Sequence, residues 1–215
     1  MSNIIHYDEM KPGGDDVSMA FHFHYADPAP GQKIGEVFFH AWDAKTGRTL
    51  HKFHKRNLIT HDAGILAAIL LKDPSSRTNG INMLAVGTGA TGALLSPDAP
   101  DKAQRKLNAE IARKAFSSVV YRDTDGAAVS YPTNIVDYTV SFGEGEAVGP
   151  LNEMGLLSTI SSNVAVKNHN PDTYPTRDTT VDLTNYDILA NYLTHGVVTI
   201  AATARFGVTW RISSG

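Results

Sequence analysis

From Ala204 to Ile212 the chain alternates Ala204, Phe206, Val208, Trp210 and Ile212 with Arg205, Gly207, Thr209 and Arg211. Successive side chains leave a strand on opposite sides, so this alternation predicts a β-strand with one face in a core and the other in water. Phe206 and Trp210 share a face, and such rings each bury on the order of 150–250 Å². The strand is therefore expected to centre the fold, with Arg205 and Arg211 facing solvent. The 18 glycines and 10 prolines suit many strands joined by turns better than a helical bundle.

The same pattern recurs upstream. Val17–Tyr25 alternates cleanly, and Gly35–Trp42 and Arg48–Lys55 flank a turn at Asp43-Ala-Lys-Thr-Gly47, so residues 17–56 predict a small antiparallel meander. Ala63–Lys72 is rich in Ala and Leu and predicts a short helix, capped by Thr60 or Asp62 and stopped at Asp73-Pro74. Ile81–Val86, Ala115–Tyr121, Asn134–Phe142 and Leu151–Leu157 read as extended, the third with Val136, Tyr138, Val140 and Phe142 inward. Tyr186–Leu193 is rich in Tyr and Leu before His195-Gly196, and Gly196–Ala202 and Ala204–Ile212 close the sheet. Lys102–Arg113 has mixed spacing and fits a helical turn or an irregular crossing.

The expected fold is mainly β: an antiparallel β-sandwich with one short α-helix and an extended N-terminal arm. Residues 1–16, ending in Lys11-Pro-Gly-Gly-Asp-Asp16, form the arm, which orders on a partner; residues 17–215 form a single domain, with the 17–56 meander as a sub-element. With 215 residues there is enough chain for one sizeable core. With no cysteine there is no disulfide, no thiolate metal site and no Cys nucleophile. A net charge of −3 gives no electrostatic reason to expect nucleic acid or an anionic membrane as partner. The N-terminus lacks a signal-peptide pattern, and no apolar run reaches the roughly 18 residues that span a bilayer.

Several motifs invite chemistry and lack its context. Gly87, Gly89 and Gly92 spell Gly-x-Gly-x-x-Gly, but Pro97 and Pro100 prevent the following helix that would hold phosphates, so a flexible loop is expected. His22, His24, His40, His51 and His54 share the proposed meander and would make a zinc or nickel site if three converged, although no carboxylate has ligand spacing. Asp123-Thr-Asp-Gly126 lacks the later glutamate of a calcium loop and reads as a turn. Lys52, Lys55 and Arg56 around Phe53 form a small basic cluster that reads as a solvated strand end. No catalytic, cofactor-binding or metal residue is assigned.

Separated stretches together resemble a known group: Asn57-Leu-Ile-Thr60 with its helix, Leu84-Ala-Val-Gly-Thr-Gly89, Leu107-Asn-Ala-Glu-Ile-Ala-Arg113, Phe142-Gly-Glu-Gly-Glu-Ala147, Asn152-Glu-Met-Gly-Leu-Leu157 and Val208-Thr-Trp-Arg-Ile212. Their order resembles that in tailed-bacteriophage virion proteins, small β-sandwich components of tails, baseplates and fibres, over about residues 57–213. The resemblance implies a non-enzymatic structural protein of the tail, baseplate, collar or fibre-attachment region, with other virion proteins and further copies of itself as partners. In such a sandwich Glu110 and Arg113 pair with each other and Glu153 sits beside a turn at Gly155, all as structural contacts. A second reading is a receptor- or carbohydrate-binding module using Tyr174, His169 and Asn170 of an exposed 161–180 loop. A third is a metal-dependent enzyme built on His22, His24 and His40.

Overall fold

The computed structural model describes residues 33–73, 75, 80–160 and 186–214. The proposed arm, the 17–25 strand with His22 and His24, and the 161–180 loop lie outside the described residues. Strands dominate: β1 Lys33–Asp43, β2 Thr49–Ile59, β3 Met83–Gly87, β4 Gly92–Ala93, β5 Ser96–Pro97, β6 Glu110–Ala115, β7 Ser118–Arg122, β8 Ala128–Val129, β9 Ile135–Phe142, β10 Gly149–Ser158, β11 Ile188–Ile200 and β12 Ala204–Ser214. One helix, α1 His61–Lys72, follows β2.

All strand pairs are antiparallel, in the order β6-β3-β10-β11-β2-β1-β12-β9-β7-β8, with β4-β5 as a separate hairpin. The β11–β2 link is short, Asn191↔Ile59 and Tyr192↔Leu58, while the rest of β2 runs beside β1. The sheet turns at this link into a four-stranded half, β6-β3-β10-β11, and a six-stranded half, β2-β1-β12-β9-β7-β8. One core joins them: Val37, Phe39, Val140, Phe142, Phe206, Val208 and Trp210 from the wide half pack with Leu84, Val86, Leu151, Met154, Leu156, Leu193 and Ile200 from the narrow half. This is the mainly β, antiparallel architecture expected.

Strand β12 lies between β1 and β9, with Trp210 opposite Val37 and Tyr138. Phe206 stacks on Phe142 and Phe39, with ring centroids 4.4 and 5.4 Å away. The hairpin turn at Asp43 is closed by its carboxylate, which accepts from the Lys45 and Thr46 amides. Helix α1 begins as expected: the Thr60 hydroxyl accepts from the Ala63 amide and donates to the Leu189 carbonyl, fastening the helix start to β11. It ends at Asp73.

Four expectations need correction. Arg211 does face away from the core but is only 4% exposed, because Asp137 stands directly opposite it on β9 and receives both Nε and an Nη at 2.5 and 2.7 Å. Gly155 is within β10 rather than at a turn. The strand expected from Gly196 begins earlier, at Ile188, and β11 runs through His195-Gly196 as a bulged strand. Ala115–Tyr121 is not one strand: Ala115 ends β6 and the rest from Ser118 belongs to β7, parted at Phe116 and Ser117. Of the two readings of Lys102–Arg113, the irregular crossing holds through Ala109, where β6 takes over at Glu110.

Candidate functional site: an apolar hairpin tip anchored on a bulge

Glu153 points from β10 toward the glycine-rich loop and is fully buried. Its Oε1 accepts from the amides of Gly89 and Ala109 at 2.9 and 2.8 Å, and its Oε2 from the Asn108 amide and the Tyr192 hydroxyl at 3.0 and 2.6 Å. The glycine-rich loop does offer an amide, that of Gly89, to an anion here, joined by the amides of Asn108 and Ala109 from the segment before β6, but the anion is the protein's own carboxylate. Gly89 is required by proximity: a Cβ there would stand 2.4 Å from the Ala109 nitrogen. Asn152 adds a second clasp, accepting from the Ala90 amide and donating to its carbonyl. The loop is thereby pinned to β10, not free as expected, and the amides of Thr88, Gly89 and Ala90 are all taken up within the protein. Burial, the neighbouring Glu153 charge and the hydrogen bond to it together push the Tyr192 phenol up.

The pinned loop leads directly into hairpin β4–β5, whose two-residue turn is Leu94-Leu95. Opposite Asn152 the β10–β11 register shifts: Leu151 pairs with Val198 and Glu153 with Thr194, so residues 195–197 of β11 bulge from the ladder. The hairpin docks on that bulge. The Val197 amide donates to the Leu94 carbonyl at 2.8 Å and the Thr194 hydroxyl to the Asp98 carbonyl at 2.9 Å. Gly196 permits the approach, since a Cβ there would lie 2.9 Å from the Leu95 oxygen. The backbone of the tip is held while its side chains are not covered: Leu94 and Leu95 are 73% and 84% exposed. Sequence reasoning passed over this pair, because two leucines before a proline-rich stretch carry no sign of being a hairpin turn.

Beneath the bulge, His195 is buried with its ring 4.9 Å from that of Phe53 and 6.4 Å from Phe39. Its Nδ1 bonds the Gly196 carbonyl, and its Nε2 has no hydrogen-bond partner among the described residues. Burial lowers its pKa to about 4, helped by the nearby Lys55 charge, so the ring is neutral at pH 7.

The other histidines do not converge. His40 reaches Thr49 at 2.9 Å, His54 stacks on Phe38 and approaches Glu36 at 3.3 Å, and His51, opposite Ala41, lies on the other face of the β1–β2 pair. Burial and the Lys52 charge lower the His40 pKa. Among the described residues no three His, Asp or Glu side chains are placed to hold a metal. The basic cluster also divides, with Lys52 and Arg56 opposite His40 and Glu36 on one face and Lys55 opposite Val37 on the other. Asp123 closes its turn by accepting from the amides of Asp125 and Ala127.

Glu110 and Arg113 do pair, Nε to Oε1 at 2.5 Å, and Asp187 joins them at 2.7 Å from Nη1. Residues three apart on a regular strand point to opposite faces; the register shift opposite Val86–Gly87 brings these two onto one. Burial alone would lower the Arg113 pKa, but its bonds to Glu110 and Asp187 leave it raised. The cluster ties β6 to the segment before β11. Tyr174, His169 and Asn170 lie outside the described residues.

No protein-family model matches the chain, and no curated protein aligns with it significantly.

Proposed function

We propose that this chain is a non-enzymatic structural component of a tailed-phage virion, in the tail, baseplate, collar or fibre-attachment region, assembled in the host cytoplasm and working by subunit–subunit binding. The anchored Leu94–Leu95 tip carries this reading. An exposed apolar pair on a free loop collapses or moves, whereas this one is fixed from behind by backbone bonds to the bulge. Full burial of a leucine contributes roughly 1.5–3 kcal/mol, and a rigid tip delivers that with little ordering cost. The buried charges support the same reading, because Glu153, Asp137 and Arg113 are all engaged in holding strands and loops. The motif order set out above supplies the phage context.

The test is a mass-spectrometric inventory of purified particles, with copy numbers, from a phage encoding the wild-type chain and one encoding Leu94→Asp/Leu95→Asp. The expected result is a fixed copy number for the wild type and loss of the variant from particles while its melting temperature is kept. Absence of the wild-type chain from particles overturns the proposal.

A further inference from the structure

We propose that the outer face of the six-stranded half is a docking surface for residues 17–25 of this same chain, which lie along β1 and β12 with Val17, Met19, Phe21, Phe23 and Tyr25 turned onto it. That face is buried although no described element lies above it. Val37, Phe39 and Ala41 of β1 point into the core, so Glu36, Phe38 and His40 point the other way, with Arg211 and Asp137 beside them in register. All five are buried, and Phe38 is only 2% exposed. Among the described elements, the narrow half packs on the opposite side of these strands and α1 packs on β11.

Neighbours within the sheet do not account for this burial. Phe38 stacks on His54, with ring centroids 4.4 Å apart, and stands opposite Thr209. Such cross-strand contacts screen the flanks of a ring and leave its outward edge to water. His54 itself is exposed, as are Lys52 and Arg56 on the same face of β2. The cover is therefore narrow, lying over β1 and β12 rather than over β2. The burial is that of a single chain, so the cover belongs to this chain.

Two long stretches lie outside the described residues, 1–32 and 161–185. The second leaves and returns at one place on the narrow half, where the Ile160 amide donates to the Asp187 carboxylate, and it holds no alternating apolar run. The first leads directly into β1 at Lys33 and contains Val17–Tyr25, whose alternation puts five large apolar side chains on one face. It cannot pair beside β1 as a further strand of a meander, because β12 and β2 occupy the two edges of β1. That leaves the face. Residues 26–32, with Pro28, Pro30 and Gly31, reach at most about 25 Å when extended, and packed layers lie about 10 Å apart, so the link is long enough to turn the segment back over β1. The face suits an apolar cover: Phe38 offers a ring, and the Arg211–Asp137 pair is already hydrogen-bonded, so covering it strands neither charge. Residues 1–16 would then leave the molecule from this face, across the wide sheet from the narrow half that carries the Leu94–Leu95 tip.

The experiment is hydroxyl-radical footprinting read by mass spectrometry on the full chain, at two concentrations well apart, for the wild type, Phe21→Asp/Phe23→Asp and His22→Ser/His24→Ser. Allowing for intrinsic reactivity, wild-type Phe38 should be labelled far more slowly than His54 at both concentrations. Phe21→Asp/Phe23→Asp should raise Phe38 labelling severalfold while Phe206 and Trp210 stay protected, and His22→Ser/His24→Ser should leave it unchanged. If Phe206 and Trp210 also become labelled, the variant has unfolded and Phe21→Ser/Phe23→Ser takes its place. Phe38 labelled as readily as His54 in the wild type, or as slowly in the folded phenylalanine variant as in the wild type, overturns the proposal. So does protection that fades on dilution, which would assign the cover to another molecule. A histidine variant that exposes Phe38 as much as the phenylalanine variant overturns the choice of face.

Discussion

Glu153 in the narrow half and Asp137 in the wide half are both buried carboxylates, and they are neutralised by opposite means. Glu153 is met by three backbone amides and a phenol, all formally uncharged. Asp137 is met by two guanidinium groups, Arg211 from the neighbouring strand and Arg122 from β7. The first arrangement shapes backbone: the carboxylate holds the loop 87–92 and Asn108–Ala109 in one geometry and so sets where the hairpin tip emerges. The second cross-links strands through side chains that can be exchanged together. A buried acid whose partners are amides is irreplaceable in a way that one whose partners are side chains is not.

Replacing Glu153 breaks the comparison most severely. Glu153→Leu leaves three partly buried amides and the buried Tyr192 hydroxyl without their acceptor, at roughly 1–3 kcal/mol for each unmet group, toward the low end for the amides that water can reach. The expected loss is on the order of 5 kcal/mol by urea denaturation, a large part of an ordinary domain's stability. Adding Tyr192→Phe should recover only the phenol's share. A loss below about 1 kcal/mol would mean that the amides find other acceptors, contrary to their usual cost when unpaired.

On the Asp137 side, Arg211→Leu should cost about 3 kcal/mol by leaving a buried carboxylate with a single partner. Here a second change should help. The double variant Arg211→Leu/Asp137→Val removes both buried charges, and Arg122, whose side chain is 28% exposed, can turn to water. A double-mutant cycle should show the pair more stable than the sum of its single variants. If the double variant is as poor as that sum, the two carboxylates do not differ in kind.

The same contrast explains what was legible beforehand. Alternation alone identified the buried face of β12, and Phe206 and Trp210 are both fully buried. The opposite face of that strand was misjudged at Arg211, because alternation says which way a side chain points but not what stands beside it. Only the pairing of β12 with β9 puts Asp137 there. The glycine-rich loop had the spelling of an anion cradle, yet the anion is 64 residues away from Gly89, on a strand whose neighbours the sequence does not declare. The tip was invisible for a related reason: the register shift that receives it is a relation between β10 and β11 and leaves no local signature.

Comparable with the Arg211→Leu loss is the pH response of His195. Unfolded, its imidazole takes a proton as pH falls through about 6.5; folded, it resists until about 4. The unfolded state therefore binds more protons in this window. Stability is full above about 6.5 and falls as pH drops toward 4, by about 3 kcal/mol at about 1.4 kcal/mol per unit. Melting curves from pH 7.5 to 4 should show this decline, and His195→Phe should flatten it. An unchanged slope in the variant would assign the decline to other groups.

The smallest expected effect isolates the meaning of burial on a single strand. Arg205 and Arg211 lie on the same face of β12, and each has a carboxylate partner, Glu144 at 2.9 Å for Arg205 and Asp137 at 2.5 Å for Arg211. They differ in their surroundings, since the side chains of Arg205 and Glu144 are 50% and 42% exposed. Water and salt screen such a pair, and ordering two long side chains offsets much of what attraction remains. Arg205→Ala should therefore change the unfolding free energy by no more than about 0.5 kcal/mol. Raising the salt concentration should shrink even that difference, while the Arg211→Leu loss should persist because its partners are sheltered from counterions. Denaturation of both variants at low and high salt reads the two together. An Arg205→Ala loss as large and as salt-resistant as that of Arg211→Leu would show that the end of the strand near Glu144 is sheltered in solution, as a contact with a neighbouring copy would make it.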